Sequence, residues 1–270
     1  MKKFLLATLA LTLTLTVVSL TGCSSTSSSG TATSSIPAED IAVSVGVAAK
    51  NALTIDNSIL GVVTGAGVRS SGIKVNEVEG LAYADGWWSG TSSYAYTYTS
   101  EGTTTVYTYS YAYNFKVWNA AGTELTTLAA LRGVEEESGL SKIWTYSTFT
   151  YSMGDSTYTS SYGNSKDDPI KFEGLGTSTP TLSGTMKYAG TYLTTTYSMT
   201  FTYDALGMTA SGYPNGSITY SVAEGGATTA SGGITYNGTN ICTVTVTSGG
   251  VTSTFTCNLD TGAVTAAGSR

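Results

Sequence analysis

Over most of the chain, large hydrophobic residues alternate singly with small or polar ones, and glycine-rich breaks separate the runs. From about Ile73 onward the period is two, as expected for strands with one face toward a core and the other toward water. Tyr94-Ala95-Tyr96-Thr97-Tyr98 and Val106-Tyr107-Thr108-Tyr109-Ser110-Tyr111-Ala112-Tyr113-Asn114-Phe115 show the alternation most clearly. Folding about Glu101-Gly102 places Tyr96 opposite Tyr107 and Tyr94 opposite Tyr109, a cross-strand aromatic ladder. A second hairpin, about Gly154-Asp155, sets Tyr151 against Tyr158. Further strands are expected at 191–203, 217–222 and 233–236, with Tyr213-Pro214-Asn215-Gly216 as a turn. The polar stretch 125–141, which holds Glu135-Glu136-Glu137, reads as a loop or short helix.

Ahead of the strands the period changes. Ile41, Val45, Ala48, Ala52, Ile55, Ile59 and Val62 recur at steps of four and three, which predicts a helix over about 38–63. Pro37 suits its first turn, and Glu39 and Asp40 suit its positive end. Ile41, Val43, Val45 and Val47 also alternate as a strand would, but the length of the pattern favours the helix. The expected fold is mainly β: an antiparallel meander forming a curved sheet, sandwich or barrel, with the N-terminal helix packed on it. Residues 37–270 are then a single β-rich domain.

The N-terminus reads as an address. Met1-Lys2-Lys3 is basic, and the apolar run 4–20 is short and diluted by threonine. A spanning helix needs about 20 strongly apolar residues, so 1–22 reads as an export signal. Leu20-Thr21-Gly22-Cys23 follows directly and resembles the lipobox of bacterial lipoproteins. The resemblance implies cleavage before Cys23, a diacylglycerol on its sulfur and a membrane-lipid anchor. Two or three acyl chains at ~0.8 kcal/mol per buried methylene hold such a protein durably at a membrane. Residues 23–36 are rich in Ser and Thr and nearly free of apolar side chains, a flexible tether reaching ~20 Å. Ser24 in the second mature position implies, by that family's sorting rule, the outer membrane, on its periplasmic face or at the cell surface.

Once Cys23 is acylated, Cys242 and Cys257 are the two cysteines that remain. They lie in 241–248 and 251–257, which flank Gly249-Gly250, and a two-residue turn there places them directly opposite. Val244, Val246, Val251 and Phe255 share their face, and a threonine stripe covers the other. In an oxidising compartment a disulfide is expected, closing a loop of about 15 residues worth ~3 kcal/mol.

Composition narrows the chemistry. The chain has 270 residues, of which 11% are charged, against a usual ~25%. The balance of 12 Lys+Arg to 18 Asp+Glu argues against nucleic acid as a partner. No histidine is present, which removes Ser-His-Asp and Cys-His catalysis and His-ligated zinc. Leu259-Asp260-Thr261-Gly262-Ala263 resembles the motif of retroviral-type aspartic proteases, but seven residues follow it, so a turn is the better reading. Ser71-Gly72-Ile73-Lys74 matches the Ser-x-x-Lys of penicillin-binding enzymes without their other motifs. Glu135-Glu136-Glu137 and Asp167-Asp168 show no ligand spacing. No catalytic residue, metal or cofactor is assigned.

The candidate binding residues are aromatic. Trp87 and Trp88, between Gly86 and Gly90, stack on sugar rings or a partner if exposed and anchor the core if buried; the buried reading is favoured. Tyr94, Tyr96, Tyr107 and Tyr109 carry the same ambiguity. The function expected is that of a non-catalytic envelope lipoprotein whose Tyr/Thr-rich β surface serves a structural, adhesive or binding role toward a protein or polymer. The alternatives are a carrier or chaperone for lipid or another apolar ligand, and an unrecognised enzyme.

Overall fold

The computed structural model describes residues 36–52, 79–100, 103–134, 139–154, 156–192, 195–208 and 213–267. The export signal, Cys23 and nearly all of the tether lie outside them, as do the helix beyond Ala52, Ser71-Gly72-Ile73-Lys74, Glu101-Gly102, Glu135-Glu136-Glu137 and Asp155. Ile36, expected as the end of the tether, already packs against the core.

The elements run in chain order: α1 (Ala38–Ala52), β1 (Glu79–Ala84), β2 (Trp87–Ser100), β3 (Thr103–Asn119), α2 (Leu128–Arg132), β4 (Leu140–Thr145), β5 (Ser147–Met153), β6 (Ser156–Tyr162) and β7 (Ile170–Glu173). There follow β8 (Thr181–Tyr192), β9 (Thr195–Met208), β10 (Pro214–Glu224), β11 (Ala227–Asn237), β12 (Ile241–Ser248), β13 (Val251–Asn258) and β14 (Val264–Ala266). Among the described residues, all 14 strands belong to one sheet and every pairing is antiparallel. β4 and β5 together line β3, and β6 and β7 together line β8, so the connectivity is a plain meander.

Alternation dictates the two faces. Phe115, Ile143, Met186, Phe201, Ile218, Ile234, Val244 and Phe255 point to one face, where they are buried in one continuous core. α1 lies over that face at β12, β13 and β14, burying Ile41, Ala42 and Val45. α2 begins at Thr127, whose side chain accepts from the Ala130 N–H, and it buries Leu131 in the same core. The helical reading therefore prevails over the alternating one at 38–52, because the four-residue spacing sets Ile41 and Val45 on one side.

The opposite face is dominated by Thr and Ser. Thr243, Thr245 and Thr247 stand across from Thr256, Thr254 and Thr252, as expected. β12 and β13 turn at Gly249 and Gly250, whose φ values of 57° and 79° give the twist a two-residue hairpin requires. Val251 shares the face of Phe255 but is 68% exposed, because it lies at the tip beyond the core. Two boundaries differ from expectation. Thr191 and Tyr192 end β8 rather than opening β9. Pro214-Asn215-Gly216 opens β10 rather than forming a turn: Pro214 pairs with Met208 and Asn215 with Gly207, with a register shift before Ile218. Proline is tolerated as a first strand residue because no ladder donor is needed from it there.

Candidate binding surface

The long β2–β3 hairpin carries the tyrosine array. Its register places Tyr94 opposite Tyr109 and Tyr96 opposite Tyr107, and β5–β6 places Tyr151 opposite Tyr158. One row thus crosses four strands: Tyr94, Tyr109, Tyr151 and Tyr158. Tyr94 and Tyr109 stack with ring centroids 4.5 Å apart, and Tyr96 and Tyr107 with centroids 4.8 Å apart. Tyr109 and Tyr151 lie 4.9 Å apart and tilted, and Tyr111 packs on Phe149 at 4.6 Å. Such pairs contribute roughly 0.5–1.5 kcal/mol each beyond the area they bury.

The array is buried at one end and wet at the other. Tyr109, Tyr151 and Tyr158 are buried and form their own small core, whereas Tyr94, Tyr96 and Tyr98 are 45%, 40% and 58% exposed. Tyr107 is half-buried between them. Burial pushes the Tyr151 phenol up to about 12 and drives Tyr109 and Tyr111 upward as well. These hydroxyls stay neutral at physiological pH. What remains accessible is a strip of ring faces and hydroxyls, suited to stacking and hydrogen bonding.

Trp87 and Trp88 do not join this strip, and both are buried, at 7% and 2% exposure. Trp88 points inward, its Nε1–H donating to the Leu125 carbonyl at 2.6 Å and its ring 5.4 Å edge-on from Tyr83. Trp87 points to the opposite face, with Tyr146 edge-on at 4.8 Å and the Lys116 ammonium 5.0 Å from its ring centre.

That opposite face holds an arrangement the sequence reading missed. Lys142 stands across from Trp118 with Nζ 5.9 Å from the ring centre, and Lys171 stands across from Trp144 at 4.8 Å. Trp118 and Trp144 are themselves 5.0 Å apart, and the Trp144 Nε1–H donates to Glu173 at 3.2 Å. Trp87, Lys116, Trp144 and Lys171 therefore alternate across β2, β3, β4 and β7, with Trp118, Lys142 and Glu173 in the next row. The sequence does carry a signal: Lys116-Val117-Trp118, Lys142-Ile143-Trp144 and Lys171-Phe172-Glu173 each put a lysine and a second large polar-face residue two positions apart.

Cys242 and Cys257 face each other across β12 and β13, both buried, and Gly46 of α1 packs close to the Cys257 sulfur. The hydrogen bond between the two thiols, together with burial, pushes the Cys242 thiol well up. Asp260 holds a turn: its carboxylate accepts from the Tyr213 hydroxyl at 2.6 Å and from Asn240 at 2.7 Å. Asp168 accepts from Asn164 at 2.6 Å within its own loop. Among the described residues no three Cys, Asp or Glu side chains gather in a geometry that holds a metal.

No family model, curated protein or solved structure matches the chain.

Proposed function

We propose that the chain is a lipid-anchored, non-catalytic protein of the bacterial outer membrane, whose β body binds an envelope polymer or protein through the exposed tyrosines of β2. The observation that carries this reading is the wet end of the array. Tyr94, Tyr96 and Tyr98 stand in water, and the rings of Tyr94 and Tyr96 are already held by stacking on Tyr109 and Tyr107. Preordered aromatic surface loses little entropy on binding, and a phenol offers both a ring face and a hydroxyl. The tether and acylated Cys23 would hold this face near the membrane, where local concentration substitutes for high affinity. The inner face is closed: Met186, Phe201, Ile218 and Ile234 are at most 2% exposed, which weighs against a carrier for apolar ligands.

The test uses the full chain produced in an exporting bacterium. Intact mass should show an acylated N-terminus at Cys23, and an unmodified N-terminus would refute the anchor. Solubilised in detergent, so that the acyl anchor does not contribute, the protein should cosediment with envelope polymer freed of membrane lipid. A Tyr94→Ser, Tyr96→Ser, Tyr98→Ser variant with unchanged circular dichroism should lose that association. Equal sedimentation of the variant would refute the tyrosine surface.

A further inference from the structure

We infer that the alternating row Trp87–Lys116–Trp144–Lys171, with Trp118 and Lys142 beside it, is a binding site for an anionic polysaccharide. This is a different face from the tyrosine strip, and the inference stands or falls independently of it.

The starting point is an electrostatic oddity. The chain is acidic, with net charge −6, and most of its outward sheet face is Ser and Thr. In one corner, three lysines converge on adjoining strands with Glu173 among them, and Glu124, bridged to Trp118, accepts from the Tyr83 hydroxyl at the edge. Glu173 faces Lys142 but directs an oxygen to the Trp144 indole. Among the described residues no ammonium of the three is in an ion pair; each is held over an indole ring instead. A cation over a partly exposed ring gains little, while like charges on neighbouring strands repel. Threonine, used across the rest of this face, would fold as well without that repulsion. The cluster is therefore poorly explained as a stabilising device and well explained as a receptor for negative charge.

Geometry selects the kind of anion. Lys116 and Lys171 share a row with one strand between them, a separation of about 9.6 Å at two strand spacings. Lys142 lies on the intervening strand two residues away, so the charges form an open triangle across the sheet rather than a cluster around one small ion. A set of cations spread over three strands suits a polymer whose negative charges repeat. The indole edges of Trp118 and Trp144 lie between the ammonium groups and offer apolar contact to the C–H faces of sugar rings. Nearby hydroxyls, such as Ser183 opposite Lys171, supply the hydrogen-bonding partners that sugar hydroxyls need. An acidic protein would not need this regularity.

The experiment is affinity electrophoresis of the full chain in detergent, through gels containing polygalacturonate, neutral dextran or double-stranded DNA. The expected result is retardation by polygalacturonate alone, weakening as salt is raised. A Lys116→Gln, Lys171→Gln variant should bind about tenfold more weakly or worse, equivalent to ~1.4 kcal/mol. Lys116→Arg, Lys171→Arg should retain binding, and Arg132→Gln, which removes one charge from α2, should change nothing. Circular dichroism of each variant separates loss of binding from loss of fold. No retardation of the wild type, equal retardation of the glutamine variant, or equal binding to dextran or DNA would each overturn the inference.

Discussion

Tyr94 and Tyr109 stack face to face across β2 and β3, within 10° of parallel, yet one ring is 45% exposed and its partner 7%. The same contact is thus anchored from one side only. Tyr109 also meets Tyr151 and Phe149, so Tyr109→Ala opens a cavity bordered by several rings. It should cost about 3–4 kcal/mol, in the range of buried aromatic truncations. Tyr94→Ala loses mainly the stacking term, about 1 kcal/mol. Urea unfolding of the two variants checks the ranking, and equal losses would mean that the array is not anchored from its inner end.

A second contrast isolates the tyrosine hydroxyl. Tyr220 donates to the Thr245 carbonyl at 2.6 Å, reaching across Gly232 to do so. The Tyr236 hydroxyl is buried opposite Cys242 and has no hydrogen-bond partner among the described residues. Tyr220→Phe should therefore destabilise by about 1 kcal/mol, and Tyr236→Phe should stabilise by about 1–2 kcal/mol, since an unsatisfied buried group is removed. Chemical denaturation of both proteins decides the signs. A loss on Tyr236→Phe would mean that its hydroxyl is satisfied in solution.

The meander was legible because each hairpin advertises itself locally. Tyr94 and Tyr109 sit at equal distances from Glu101-Gly102, and Cys242 and Cys257 at equal distances from Gly249-Gly250, so symmetric counting fixes their register. Pro214-Asn215-Gly216 misled because its composition fits a turn, whereas a proline at a strand start and a glycine at a register shift satisfy the same residues. The Lys/Trp rows were not read from sequence. Their members come from β2, β3, β4 and β7, and their adjacency depends on several registers at once. Nor does alternation tell which tyrosines are wet. Tyr94 and Tyr109 follow one pattern, and the number of neighbouring strands separates them, because Tyr109 has β5 on its far side and Tyr94 lies beyond the reach of the short β1.

Alkaline pH should unfold the protein through its buried phenols. Burial raises Tyr151 and Tyr162 to about 12, and pushes Tyr203 and Tyr220 further up, from an unfolded value of about 10. The folded state therefore holds these protons more tightly than the unfolded chain. Their contribution is complete below pH ~10 and is lost as pH rises toward ~12. Circular dichroism and phenolate absorbance should change together in that window. If all 19 tyrosines ionised near pH 10 with the β signal intact, the buried array would be disproved.

The last expectation concerns Cys242 and Cys257. Opposite residues of a hydrogen-bonded antiparallel pair have Cα atoms about 5.5 Å apart, inside the 4.4–6.8 Å range a disulfide spans. A small local approach of the strands brings the Cβ atoms, about 4.5–5.5 Å apart in directly opposite residues, within the roughly 3.5–4.5 Å that the bond spans. The bond should be worth ~3 kcal/mol for a loop of this size. It should also form early. Thiolate is the species that reacts, and in the folded protein the Cys242 thiol is pushed well up while Gly46 covers the Cys257 sulfur. Once α1 has docked, the pair is sealed in whichever state it reached. Protein recovered from the exporting host, denatured without reductant, should show no thiol that takes up a maleimide at either position. Protein made in a reducing cytosol should carry both thiols free, resist oxidation while folded and unfold at lower urea. Labelling of both cysteines in the exported protein would rule the bond out.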